Sequence, residues 1–173
     1  MKRVLRGKHP RNLLLFVMGI NTALRIGDLL SLTVGDIRDE MGALRPSVSL
    51  REHKTGKVKQ FPMNDSVLHV LREYLRAERG IRDANFLFAS AKGRRPISRV
   101  HAWRILSTAA RKVGLDEIGT HSLRKTFGYH AYRRTRDLAL VQKLLNHSSS
   151  GDTLRYIGIE QDTLDDAYLR LNL

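Results

Sequence analysis

The stretch RNLLLFVMGINTALRIGDLLSLT, residues 11–33, limits the fold more than any other part of the chain. Its apolar run Leu13–Met18 falls far short of the ~18 residues that suggest a membrane span, and instead has the length of a helix buried in a core. Pro10 sits where a first helical turn tolerates it, and the break near Asn21–Ala23 divides the stretch into two helices. Beyond it, ALRPSVSLREHKTGKVKQFPM reads as a β-hairpin turning at Thr55–Gly56, with Pro46 demoting part of its first strand to an edge. NDSVLHVLREYLRAERG reads as an amphipathic helix with a polar cap before it and Gly80 after it. A loop carrying the short apolar FLF leads to a helix over about 98–113, stopped by Gly114. Helices near 122–134, near 137–146 from an Asp137 cap, and around Tyr156 follow, then a last one in DTLDDAYLRL with acids in its first turn. The expected fold is mainly α with a small antiparallel β-sheet, an α+β chain forming one domain over residues 1–173.

Composition narrows the function. With 42% hydrophobic residues the chain can bury a core, which argues against disorder. The absence of cysteine excludes disulfides and thiolate metal sites and fits a cytoplasmic protein. The basic start MKRVLRGKHPRN lacks the apolar stretch and cleavage site of a secretory signal. The net charge is +14, and it is lopsided: residues 151–173 hold five acids against two arginines, so the basic excess lies in the body. A basic body points to a polyanion, nucleic acid first, against the plainer reading of a solvated basic surface.

Between Asn85 and Leu115 stand Lys92, Arg94, Arg95, Arg99, Arg104, Arg111 and Lys112, with no acid among them. On the 98–113 helix, Val100, Trp103, Leu106 and Ala110 share one face, which predicts Trp103 as core rather than a base-stacking platform. His101, Arg104, Thr108 and Arg111 share another face, suited to phosphates or a groove. The expected DNA contacts are therefore Arg94, Arg95, Arg99, His101, Arg104, Arg111 and Lys112.

A second set of residues carries chemistry. THSLRKTF puts His121 and Arg124 three apart, on one face of a helix start. Arg25 stands at the break before an apolar helix, where a cation has no packing purpose. Lys54 stands at the mouth of the hairpin turn, His147 follows the helix LVQKLLN, and Tyr156 comes nine residues later. Each has a plain reading by itself: a surface cation, a turn lysine, a helix-capping histidine, a half-buried aromatic. Together they share one logic. Two arginines can clamp a phosphodiester and stabilise a pentacoordinate transition state. A histidine can move a proton near neutral pH, and a lysine can protonate a leaving alkoxide. A tyrosine can hold a covalent phosphoryl group. Such a site needs no metal, because guanidiniums take the place of the divalent ion.

The order Arg25, Lys54, His121-x-x-Arg124, His147, Tyr156, carried by ALRIGDLLSLTVGDI, KTGKVKQFPM, GTHSLRKTF and LVQKLLNHSSSGDTLRYIGI, closely resembles the catalytic signature of the tyrosine recombinase (phage integrase) family. The resemblance covers about residues 10–160. It implies a site-specific DNA recombinase or integrase in which Tyr156 attacks the scissile phosphate, leaving a 3′-phosphotyrosyl link and a free 5′-hydroxyl, without cofactor or metal. It implies Arg25 and Arg124 as the phosphate clamp, Lys54 as general acid, His121 as base or proton shuttle, and His147 as a donor to a phosphate oxygen. It also implies double-stranded DNA as partner and four protomers in the synapse; a monomer is possible when free, and no membrane is expected. The C-terminal helix over 160–173 would dock on a neighbouring protomer, its acidic charge meeting a basic body.

Four departures accompany the resemblance. Asp28 stands where the family usually has Glu, Asn146 precedes His147 where Gly is common, and Lys125 follows Arg124 where a second His is frequent. The family's N-terminal core-binding domain is not expected within this chain. Tyr129, His130 and Tyr132 are read as packing or surface residues. The competing readings are a DNA-binding relative without activity and a relaxing enzyme resembling type IB topoisomerases. A zinc hydrolase is disfavoured because no His-Glu-x-x-His occurs, and Arg51 stands where a phosphate-binding loop would begin with glycine.

Overall fold

In the computed structural model the described residues are 1–7, 9–78, 80–91, 95–116, 118–158 and 168–171. A short helix α1 (Lys2–Arg6), which the basic start did not suggest, buries Leu5 against the central helix α2 (Pro10–Asn21). Pro10 is the first residue of α2, and the His9 side chain accepts from the Arg11 amide. Helix α2 buries Leu13, Leu14, Leu15, Val17 and Met18, each worth roughly 1.5–3 kcal/mol when fully removed from water. The expected break falls at Ala23, which takes a left-handed φ of +55° before α3 (Ile26–Ser31). One further turn, α4 (Val34–Ile37), is held at its start by Asp36, whose carboxylate accepts from both the amide and the hydroxyl of Thr33.

The hairpin pairs β1 (Ser47–Arg51) with β2 (Val58–Pro62), antiparallel, from Ser47 opposite Pro62 to Arg51 opposite Val58. Gly56 supplies the positive φ, +65°, that the turn needs. Helix α5 (Asp65–Ala77) begins at an Asn64 cap and packs along α2. The FLF segment adds Leu87 and Phe88 to the core, and its backbone bonds to the α3–α4 connection through the Leu87 amide and the Leu32 carbonyl.

Helix α6 (Arg99–Arg111) corrects one expectation. Its buried residues are Ala102, Leu106, Ser107, Ala109 and Ala110, whereas Val100 is 58% and Trp103 46% exposed. The helix packs against α2, α3 and α7, and apart from Leu106 the buried residues are small. The indole stands at the edge instead, beside Gly119, where an added Cβ would lie 3.3 Å from Trp103 Cδ1.

Helices α7 (Thr120–Thr135), α8 (Leu138–Leu144, capped by Asp137) and α9 (Ser150–Ile157) follow. They build a second apolar cluster from Ala23, Val141, Leu145 and Ile157, against which Tyr129, Tyr132 and Tyr156 pack, while His130 is exposed. The expected 160–173 helix lies outside the described residues apart from 168–171, of which 168–170 are helical. Among the described residues, no helix is long and apolar enough to cross a membrane.

Candidate active site

The break after α2 places Arg25 at the start of α3, with Asp28 one turn on. Asp28 is 2% exposed, and its Oδ1 accepts from the His53 amide at 2.9 Å, so the shorter carboxylate joins α3 to the hairpin turn. That turn presents Lys54, exposed. The first turn of α7 presents His121, exposed, and Arg124, buried. Asn146 does adopt the left-handed conformation, with φ +49°, and so turns the chain from α8 towards His147 and α9. Arg25, Lys54, His121, Arg124, His147 and Tyr156 all line one cleft of about 1380 Å³. Eight lysines and arginines line it against two aspartates, which makes it a site for an anion.

Arg124 does not float in this cleft. Its guanidinium donates to the carbonyls of Ala23 and Leu145, fastening the α2–α3 break to the end of α8. Burial and then the repulsion of Arg25 lower its pKa, while Tyr156, Glu52 and Asp28 oppose that shift. The two cations repel each other across the cleft, and an anion between them relieves the repulsion.

Tyr156 is half-buried on α9, its ring edge-on to His147 with centroids 5.0 Å apart, and Lys125 Nζ lies 5.6 Å from its centroid. Burial raises the phenol's pKa, opposed by the charges of Arg124 and Arg25 and by a hydrogen bond from Arg124. His147 has its pKa lowered by burial first, then by Arg124 and Arg25, with Asp152 opposing. Its Nδ1 lies 3.2 Å from Thr153 Oγ1, whose own hydrogen goes to the Ser149 carbonyl. The imidazole is therefore the donor at Nδ1, which leaves Nε2 as the nitrogen whose protonation changes.

Two residues that the motifs did not single out complete the site. Glu52 lies 1% exposed beneath Arg25. Lys59 on β2 donates to the Ala23 and Leu144 carbonyls. Burial, then Arg124, lowers the Lys59 pKa to about 8. A sequence signal exists for both. In a strand, alternate residues share a face, so Glu52 follows Val48 and Leu50 inward, and Lys59 shares the inward face of Phe61.

The expected DNA-contact residues divide. Arg99 borders the cleft, its Nη2 lying against Gly27, where an added Cβ would come within 2.6 Å. His101, Arg104 and Lys112 face a separate cavity of about 230 Å³ beside α1. Arg95 and Arg111 are exposed elsewhere, and Arg94 lies outside the described residues.

The sequence pattern of the Phage integrase family matches residues 5–162. The chain is 45% identical over 168 residues to the Probable integrase/recombinase YoeC of Bacillus subtilis, covering 97% of this chain and 88% of that protein. It is 32% identical over 165 residues to the Tyrosine recombinase XerA of Pyrococcus furiosus, covering 94% of this chain and 55% of that one. The other Xer relatives are likewise spanned to about half their length. In fold, the chain is similar to the crystal structure of XerA recombinase, with a TM-score of 0.77 at 21% identity over 99% of this chain and 60% of the other. It is also similar to XerH site-specific recombinase bound to palindromic difH substrate, with a TM-score of 0.75 at 22% identity over 99% of this chain and 50% of the other.

Proposed function

The chain belongs to the phage integrase family, and on that premise we propose that it cuts and rejoins DNA strands at specific sites through Tyr156. The phenol oxygen attacks the scissile phosphorus, forming a 3′-phosphotyrosyl bond as the bond to the 5′-oxygen breaks. The phenol proton passes to His121, and Lys54 delivers a proton to the departing 5′-oxygen. Arg25 and Arg124 carry the charge that develops on the non-bridging oxygens, and His147, protonated when the anion enters, donates to one of them. A 5′-hydroxyl from a partner strand reverses the step, so no nucleotide cofactor enters the balance.

The observation that carries this reading is the convergence of all six side chains on one cationic cleft, from elements as far apart in sequence as α3 and α9. Because guanidiniums supply the positive charge, the reaction proceeds without a metal. The partner is double-stranded DNA, with four protomers in the synapse and the acidic C-terminal segment docking on a neighbour. Residues 1–173 act as one catalytic domain, and the setting is the cytoplasm. The test is to incubate the protein in EDTA with a pool of nicked duplexes and collect SDS-resistant adducts. Wild type yields adducts and Tyr156→Phe yields none while still binding DNA. No adduct from the wild type, or equal adducts from both, overturns the reading.

A further inference from the structure

Three elements of the cleft meet on one buried carboxylate. Glu52, its side chain 0% exposed, places Oε1 2.8 Å from Arg25 Nη1. Its Oε2 accepts from Thr55 Oγ1 at 2.7 Å and from Asn146 Nδ2 at 2.9 Å. Each partner is next to the chemistry or part of it: Arg25 opens α3, Thr55 follows Lys54 in the turn, and Asn146 is the left-handed residue immediately before His147. From these contacts we propose that Glu52 is a positioning residue, setting Arg25, the Lys54 turn and the His147 loop in one mutual register for strand cleavage. This inference rests on the reading of the cleft as a DNA-cleaving site.

The chemistry of the pair explains why a carboxylate is required. Burial by itself pushes the Glu52 carboxyl up, yet hydrogen bonds from Thr55 and Asn146, with the ion pair to Arg25, outweigh it and hold the pKa below the ordinary value. The group is therefore ionised: Oε2 accepts two hydrogen bonds while Oε1 faces the Arg25 charge as a close ion pair. An amide cannot do this. Glutamine has one acceptor oxygen and one NH2, so in either orientation a donor faces a donor, at Arg25 or at Thr55 and Asn146. A shorter Asp keeps the charge but cannot span all three partners. A merely structural carboxylate would affect stability alone, whereas a positioning one couples the partners to each other.

The test uses Glu52→Gln, Thr55→Val and Asn146→Ala, singly and with each of the last two added to the first. One readout needs no DNA: in the free wild type, nitrogen-detected NMR shows hindered rotation of the Arg25 guanidinium, and in Glu52→Gln that rotation becomes free. The other is single-turnover adduct formation at saturating DNA. Glu52→Gln slows it about 10- to 100-fold, the range that misplacement of reacting groups produces, with DNA affinity within about threefold. In the Glu52→Gln background, Thr55→Val and Asn146→Ala add little, because their partner is already lost. An Arg25 guanidinium that stays ordered in Glu52→Gln, a rate within twofold of wild type, or effects that fully add overturns the proposal. If Glu52→Gln does not fold, Thr55→Val, at an exposed turn position, carries the test: a wild-type rate refutes the coupling and a several-fold loss supports it. If the wild type forms no adduct, the cleavage reading fails, and the NMR comparison still decides whether Glu52 holds Arg25.

Discussion

Gly128 lies where α7 passes α9, and an alanine there is the sharpest test of how Tyr156 is placed. A Cβ built on Gly128 comes 2.6 Å from Ile157 Cγ2 and 3.1 Å from Leu145 Cδ1, against ordinary contact beginning at 3.4 Å. Ile157 is 5% exposed and sits beside Tyr156 in the second apolar cluster, so it has no solvent side to retreat to. Two effects of opposite sign compete. Replacing a glycine inside a helix by alanine gains up to about 1 kcal/mol, while forcing an extra carbon into a packed core costs ~1–3 kcal/mol. Because the overlap is with buried aliphatic carbons on two elements, the cost wins, and Gly128→Ala destabilises by ~1–2 kcal/mol. For a domain of this size that is a fall in Tm of about 2–8 °C, read by calorimetry. Relief comes by moving α9 outward by roughly 1 Å, and a shift of that size at a nucleophile costs on the order of 100-fold in adduct rate. Gly151→Ala is the control: its Cβ would meet only Ser149 Oγ at 3.6 Å, so stability is kept or rises by up to about 1 kcal/mol. A higher Tm for Gly128→Ala with an unchanged adduct rate would mean that the α7–α9 contact does not place Tyr156.

Arg124→Lys keeps the charge but cannot fork to both the Ala23 and Leu145 carbonyls. It should cost ~1–3 kcal/mol for the carbonyl left unpaired and at least about 100-fold in adduct formation, checked by urea midpoints and adduct rates. Lys59→Met tests the buried amine through pH. With its folded pKa lowered to about 8 from 10.5, the charged form is disfavoured in the fold, so wild type gains stability relative to the variant as pH rises from 8 to 10.5. The gain is up to ~3 kcal/mol at 1.36 kcal/mol per decade, and parallel stability curves for the two proteins would contradict it. His147, with its pKa lowered by burial and by Arg124 and Arg25, contributes stability above about pH 6.5 that is lost as pH falls through its lower folded value. A phosphate between the arginines reverses that shift. DNA binding therefore takes up a proton and tightens from pH 7.5 to 6, and His147→Asn flattens the dependence in a binding titration.

The long helices were legible because their signals are local. Pro10 at a first turn, Asn64 and Asp137 as caps, and the break after Asn21 and Thr22 all act within a few residues of where they stand. Trp103 reads as core because its spacing with Leu106 and Ala110 fits an apolar stripe, whereas the face buried on α6 is built mainly of small residues and leaves the indole 46% exposed. Short α1 and α4 carry too little periodicity to announce themselves, and their supports, Leu5 packing and the Thr33–Asp36 cap, are small. In the candidate site, order and spacing single out six residues that each have an ordinary structural reading alone, and the fold brings them to one cleft. Glu52 and Lys59 show the reverse case. Their strand parity places them inward, but only the fold supplies the arginine and the carbonyls that make a buried charge tolerable.

The most direct test of the account is to digest the protein from the wild-type adduct with trypsin, digest away most of the attached DNA, and sequence the nucleotide-bearing peptide by mass spectrometry. The expected result is a nucleotide joined through its 3′-phosphate to Tyr156, and a free 5′-hydroxyl on the other side of the break. A nucleotide on any other side chain, or one joined through a 5′-phosphate, would contradict it.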